Sequence, residues 1–172
     1  KPQLLNNAGT KSEDLVSGML LNAFAKANLS NITVRGGYLM GKNVSQLMMF
    51  GGFGVSEISS TGDITYTATK GNSIWADVAI SANQWGFGIF GGYTQNLGAE
   101  DKITGPVYAI GPNIDNYMRI SPRVTYSSGK VKVGLEGVYH VAAYGTPNEY
   151  YVVENTTDSE AFRILTSVAY VF

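Results

Sequence analysis

Between Lys130 and Tyr144 the chain alternates in kind: Val131, Val133, Leu135, Tyr139 and Val141 fall on one face, and Lys130, Lys132, Glu136 and His140 on the other. A period of two, not 3.6, is that of a β-strand with one apolar and one polar side. Just upstream, Met118, Ile120, Val124 and Tyr126 alternate with Arg119, Ser121, Arg123 and Thr125, and Ser127-Ser128-Gly129 supplies a tight turn between the two runs. The pair reads as a hairpin.

The same design recurs along the chain. Ile74, Ala76, Val78 and Ile80 alternate with Asp77 and Ser81, and Asn83-Gln84 turns the chain into Trp85, Phe87, Ile89 and Tyr93. Ile32, Val34, Tyr38 and Met40 alternate with Thr33 and Arg35, and the run from Leu15 to Ala27 pairs with them through a turn at Asn28 to Asn31 if it is a strand. That run also suits a helix, because Ser12-Glu13-Asp14 resembles a helix start and its alanines favour one. The last segment places Phe162, Ile164, Val168, Tyr170 and Phe172 on one face, and Arg163, Ser167 and Ala169 on the other.

Connections fall into two classes that alternate: short ones near 28–31, 83–84 and 127–129, and long ones at 42–73, 97–116 and 145–159. Glu57, Asp63, Glu100, Asp101, Asp115, Glu149, Glu154 and Asp158 lie in the long class. Short turns at one end and long loops at the other are the asymmetry of outer-membrane barrels, whose strands need only about 9–11 alternating residues. No run of about 18 apolar residues is present, which excludes a transmembrane helix and leaves a barrel open. Twenty-one glycines and eleven tyrosines, with 15% charged residues, agree with curved strands and aromatic girdles.

The expected fold is therefore all-β: an antiparallel up-and-down transmembrane β-barrel in the bacterial outer membrane. Residues 1–172 read as a single barrel segment, with 1–14 as an extracellular loop and 160–172 as the C-terminal strand. Phe172 then lies at the periplasmic end, and counting back gives about seven strands; because such barrels have even counts, this odd count marks a C-terminal portion, of about seven to eight strands, of a larger barrel. The chain begins at Lys1 without an initiator Met, so further sequence is expected before it. The rival barrel is a closed eight-stranded one that takes its extra strand from Leu47 to Ser56 or Ile64 to Thr69. The rival outside the membrane is a soluble sandwich, disfavoured because so apolar an edge strand invites aggregation.

The charged residues of the strands are unevenly signed. Arg35, Arg119, Arg123 and Arg163 all occupy polar faces, joined by Lys132, and Asp77 and Glu136 oppose them. As pore-lining residues these seven would form a net-positive lumen, and cationic rings favour anions. The alternative is that the arginines pair with carboxylates or merely satisfy a wet interior. Trp85-Gly86-Phe87-Gly88-Ile89-Phe90-Gly91 contains a formal G-x-G-x-x-G, but a dinucleotide site needs a helix after it, and here the strand continues. Its glycines are expected to admit a plug, a loop, a neighbouring backbone or sharp curvature.

His140 is the only histidine and there is no cysteine, so neither a multi-histidine nor a thiolate metal site is available. No serine stands two residues after His140 and no nucleophile elbow appears, so no enzyme, catalytic residue, cofactor or metal is expected. A formal net charge of −1 gives no footprint for nucleic acid. Asn43 to Phe50, with Leu47-Met48-Met49, fits a short helix folding inward as a constriction, an interface segment or an extra strand equally well.

Tyr170 and Phe172, at the third-last and last positions, resemble the terminal signal read by barrel-assembly machinery, although Leu165 and Ser167 depart from the usual pattern. Five runs resemble the C-terminal half of trimeric DcaP-like porins of the Bacteroidetes type. They are Leu5-Asn6-Asn7-Ala8-Gly9-Thr10-Lys11, Gly91 to Gly98, Asn113-Ile114-Asp115, Arg119-Ile120-Ser121-Pro122-Arg123 and Ala142-Ala143-Tyr144-Gly145. The resemblance implies a larger barrel, a homo-trimer in outer-membrane lipid, and passive diffusion of small, preferentially anionic solutes. A non-conducting structural or partner-binding subunit of a surface complex is the second expectation.

Overall fold

The computed structural model describes residues 9, 14–45, 50–60 and 62–172. Within these the chain is all-β, an antiparallel sheet of nine strands with no α-helix. The strands are β1 (Met19–Leu29), β2 (Ile32–Lys42), β3 (Gly51–Ile58), β4 (Ile64–Ala82), β5 (Trp85–Ala99), β6 (Val107–Ile110), β7 (Ile114–Ser128), β8 (Val131–Pro147) and β9 (Val153–Tyr170).

Seven of them form an up-and-down path in the order β1-β2-β4-β5-β7-β8-β9. Three hairpins within it close through two-residue turns at Ser30-Asn31, Asn83-Gln84 and Gly129-Lys130. The first residue of each turn has positive φ (55°, 53° and 56°), the left-handed entry that suits the right-handed twist of paired strands. The ambiguous first run is strand: β1 pairs with β2 from Met19↔Lys42 to Leu29↔Ile32 without a slip. Cross-strand partnership outweighs the helical character of its alanines.

The segments read as long loops, 42–73, 97–116 and 145–159, hold much more strand than expected. β4 begins at Ile64 and runs 19 residues; its second half pairs with β2 and its first half with β3, and β3 in turn pairs with β6. The two segments considered for an extra strand do hold strand, since β3 overlaps Leu47–Ser56 and Ile64–Thr69 opens β4, whereas β6 was read as loop. Neither Leu47–Ser56 nor Ile64–Thr69 closes the sheet, which among the described residues is open with β1 and β9 as its edges. Leu47-Met48-Met49 lies outside the described residues, as do most of 1–14 and of the Leu5–Lys11 run.

Register assigns the faces, because directly paired residues point to the same side. Following Val78, the pairs Val34↔Val78, Val78↔Ile89 and Ile89↔Pro122 lie on one side, joined by Phe87↔Val124↔Leu135 and by Ile120↔Tyr139↔Phe162. This side is apolar across all seven strands and is largely exposed: Ile74, Phe87, Ile89, Phe162 and Ile164 are among its open side chains. The other side carries the charges. Buried side chains occur in two places: Ser121, Val138 and Asp77 on the polar side, and a cluster at the end away from the tight turns that includes Val44, Val55, Tyr151, Val153, Thr67, Thr69 and Asn96. There the 99–104 segment bonds to the 148–152 turn through Ala99 N to Tyr150 O (2.7 Å) and Ile103 N to Glu149 O (2.7 Å), and Val55 receives Thr104 N (2.9 Å).

Candidate functional site on the polar face

From the tight turns out to the level of His140, the polar side of the seven strands carries Lys26, Arg35, Arg119, Arg123, Lys132 and Arg163 against Asp77 and Glu136. The structure brings some of these together. Asp77, on β4 and buried, accepts two hydrogen bonds from Arg123 on β7, Nη1 to Oδ2 at 2.6 Å and Nη2 to Oδ1 at 3.1 Å. Arg35 on β2 stands 3.6 Å from the same carboxylate on its other side. Arg119 bonds Glu136 (3.0 Å) and Ser121 (2.7 Å), and its guanidinium lies 5.5 Å from the centre of the Phe90 ring. Lys132 and Arg163 share the face and make no ion pair among the described residues.

Arg123 reaches Asp77 by crossing β5, and a glycine makes that possible. Gly88 is directly opposite Arg123, and a Cβ there would stand 2.6 Å from the guanidinium carbon. Gly37 plays the same part for Trp75, whose indole nitrogen would be 2.7 Å from a Cβ on it. The polar-face glycines Gly88 and Gly92 thus leave room for long side chains lying flat on the sheet, whereas Gly91 is on the apolar side with nothing within 4 Å of its absent Cβ. This is a more local purpose than the plug or loop expected from the motif.

His140 is directly opposite Arg119, and its Nδ1 is 2.7 Å from the Tyr117 hydroxyl. Beside them a concavity of about 470 Å³ is lined by Leu39, Phe50, Ser73, Thr94, Ile114, Tyr117, Ala142 and Tyr144. Phe50 reaches this side because Gly71 leaves its carbonyl space: a Cβ on Gly71 would be 2.7 Å from Phe50 O. Among the described residues no group of three or more His, Cys, Asp or Glu is placed to hold a metal ion.

Tyr170 ends β9 on the apolar side, with Phe172 beyond it fully exposed and their rings 5.4 Å apart. Lys26 was absent from the sequence-derived set because its strand was uncertain; its pairing with Arg35 places it on the charged face. Phe24, Trp75 and Phe90 were also missed, since alternation searched the polar faces for charge. Comparison with protein-family models, curated proteins and solved structures finds no match to the chain.

Proposed function

We propose that the seven-strand path is part of the wall of an outer-membrane β-barrel, and that the barrel is a passive, porin-like channel for small, preferentially anionic solutes. The observation that carries this reading is the two-sidedness of the sheet: an unbroken exposed apolar side backed by a charged one. In water an exposed side of this kind forfeits about 1.5–3 kcal/mol for each large apolar side chain left unburied, whereas in lipid it is at home. Its dimensions fit. Trp85 and Tyr93, like Phe162 and Tyr170, are eight residues apart on one strand, about 27 Å at a rise of ~3.4 Å. At a tilt of about 40° that covers about 21 Å of membrane thickness, just inside the ~25 Å apolar band of such barrels, with aromatics at both rims.

On this reading the charged side borders the water path, and Tyr170 and Phe172 are the assembly signal. Because Arg119 and Arg123 are engaged with carboxylates, Lys26, Lys132 and Arg163 add the uncompensated charge. The free edges β1 and β9 take further strands, and trimer formation follows the resemblance in the sequence. The test is conductance of the folded protein in planar bilayers, with the reversal potential measured in a salt gradient. Anion preference is expected and should fall when Arg119 and Arg123 both become Ala. Unchanged selectivity would remove those residues from the path; a folded protein that conducts nothing would favour the non-conducting surface-complex subunit.

A further inference from the structure

Three rings line up across the polar side: Phe24 on β1, Trp75 on β4 and Phe90 on β5. Their centroids are 5.9 Å and 6.1 Å apart, with interplanar angles of 34° and 25°. Trp75 has a glycine directly opposite it on each neighbouring strand, Gly37 and Gly92, so its indole lies over the sheet. Phe24 is 60% exposed. Trp75 and Phe90 are half-buried, and the Arg119 guanidinium lies over the Phe90 ring, 5.5 Å from its centre, so the open ring area is that of Phe24 and Trp75. Their display calls for a ligand with a flat apolar surface.

The borders of the ribbon are polar on both sides. On one, Ser73 and Thr94 are bonded to each other (3.1 Å) at the rim of the 470 Å³ concavity, a size in the range of small-molecule sites. On the other, Lys26 and Arg35 are directly opposite each other, an arrangement in which like charges repel. The carboxylate nearest Arg35 is Asp77, at 3.6 Å, and Arg123 already holds it at 2.6 Å. The cationic pair therefore has donors to spare.

We propose that this ribbon is a binding track for an acidic oligosaccharide. Pyranose rings lie against Phe24 and Trp75 and reach the Arg119-covered edge of Phe90, hydroxyls bond Ser73 and Thr94, and a ring carboxylate meets Lys26 and Arg35. Platforms spaced at 5.9 and 6.1 Å suit a chain of linked rings, where a single flat acid would fill one. The track rests on the reading that the charged side borders water, but not on conduction.

The experiment uses the full-length protein folded in detergent with Trp85→Phe, which leaves Trp75 as the one tryptophan of this chain. Its fluorescence is titrated with tri-galacturonate, maltotriose and benzoate. A saturable change with tri-galacturonate is expected, with binding of maltotriose about tenfold weaker, the loss of a charge-assisted hydrogen bond. Lys26→Gln should erase the difference between the two sugars, and Phe24→Ala should weaken both. No saturable change, or benzoate binding as tightly as the trisaccharide, overturns the proposal. So does a Lys26→Gln protein that melts earlier yet binds both sugars as before, because Lys26 would then be pairing with a protein carboxylate. Conductance of the same preparation separates the two readings: binding without conductance keeps the track and removes the channel, and conductance without binding does the reverse.

Discussion

Within one stretch of β5, two glycines face opposite sides and predict opposite outcomes. Gly88→Ala puts a methyl group where the Arg123 guanidinium lies, 2.6 Å from its carbon, so Arg123 must leave Asp77. The loss of a charge-assisted pair to a buried carboxylate is expected to cost about 1–3 kcal/mol in urea unfolding from detergent or lipid. Gly91→Ala meets nothing and is expected to be neutral or to stabilise by up to about 1 kcal/mol, since glycine is a poor strand residue. Tyr151 supplies a pH prediction. Burial pushes its hydroxyl up to about 12 from 10.0, and that hydroxyl has no hydrogen-bond partner among the described residues. A raised value means the folded state holds the proton more tightly. Stability from this group is therefore complete below pH 10 and is lost as pH rises from about 10 to 12. Thermal midpoints measured across that range should fall, and Tyr151→Phe should flatten the decline without harm at pH 7. The arginine positions were legible in the sequence because alternation alone assigns a face. Which of them are neutralised was not, because Asp77 and Arg123 are 46 positions apart and meet only through register across β5.

The elements separate into a wall and a cap. β3 and β6 lie off the seven-strand path, and β6 touches only β3 within the sheet. Gly52 holds that contact: it has φ of 155°, and a Cβ on it would run into the Tyr108 carbonyl. Gly52→Ala is expected to detach β6, seen as faster proteolysis between Asp101 and Asn113, with the seven-strand path still protected from hydrogen exchange. Equal loss of protection in both would show that wall and cap are one cooperative unit. The hairpins of the wall were readable from their turns, where Asn83 and Gly129 take left-handed φ. Of the cap, β3 was legible only as the alternative strand within Leu47–Ser56, its glycines leaving little alternation, and β6, with four residues, was not legible at all.

For the whole molecule, the two sides of the sheet predict a difference between substitutions of equal charge. Ile89→Lys, at the centre of the apolar side, is expected to cost about 2–4 kcal/mol for folding into lipid vesicles. Ala161→Lys on the charged side, exposed and directly opposite His140, should fold nearly as before. Equal tolerance of both would count against lipid on the apolar side. Two-sidedness was the part of the architecture most legible in sequence, because period two survives even when strand boundaries are misplaced. The off-path position of β3 and β6 also bears on the order of assembly. β1–β2, β4–β5, β7–β8 and β8–β9 join neighbours in sequence, and hairpins of this kind close in about 1–10 μs. The β3–β6 ladder must instead bring together segments on either side of the entire β4–β5 hairpin, so its closure entropy is met only after that hairpin exists. The cap should then form last, and variants confined to it should hasten unfolding while leaving the rate of wall assembly unchanged.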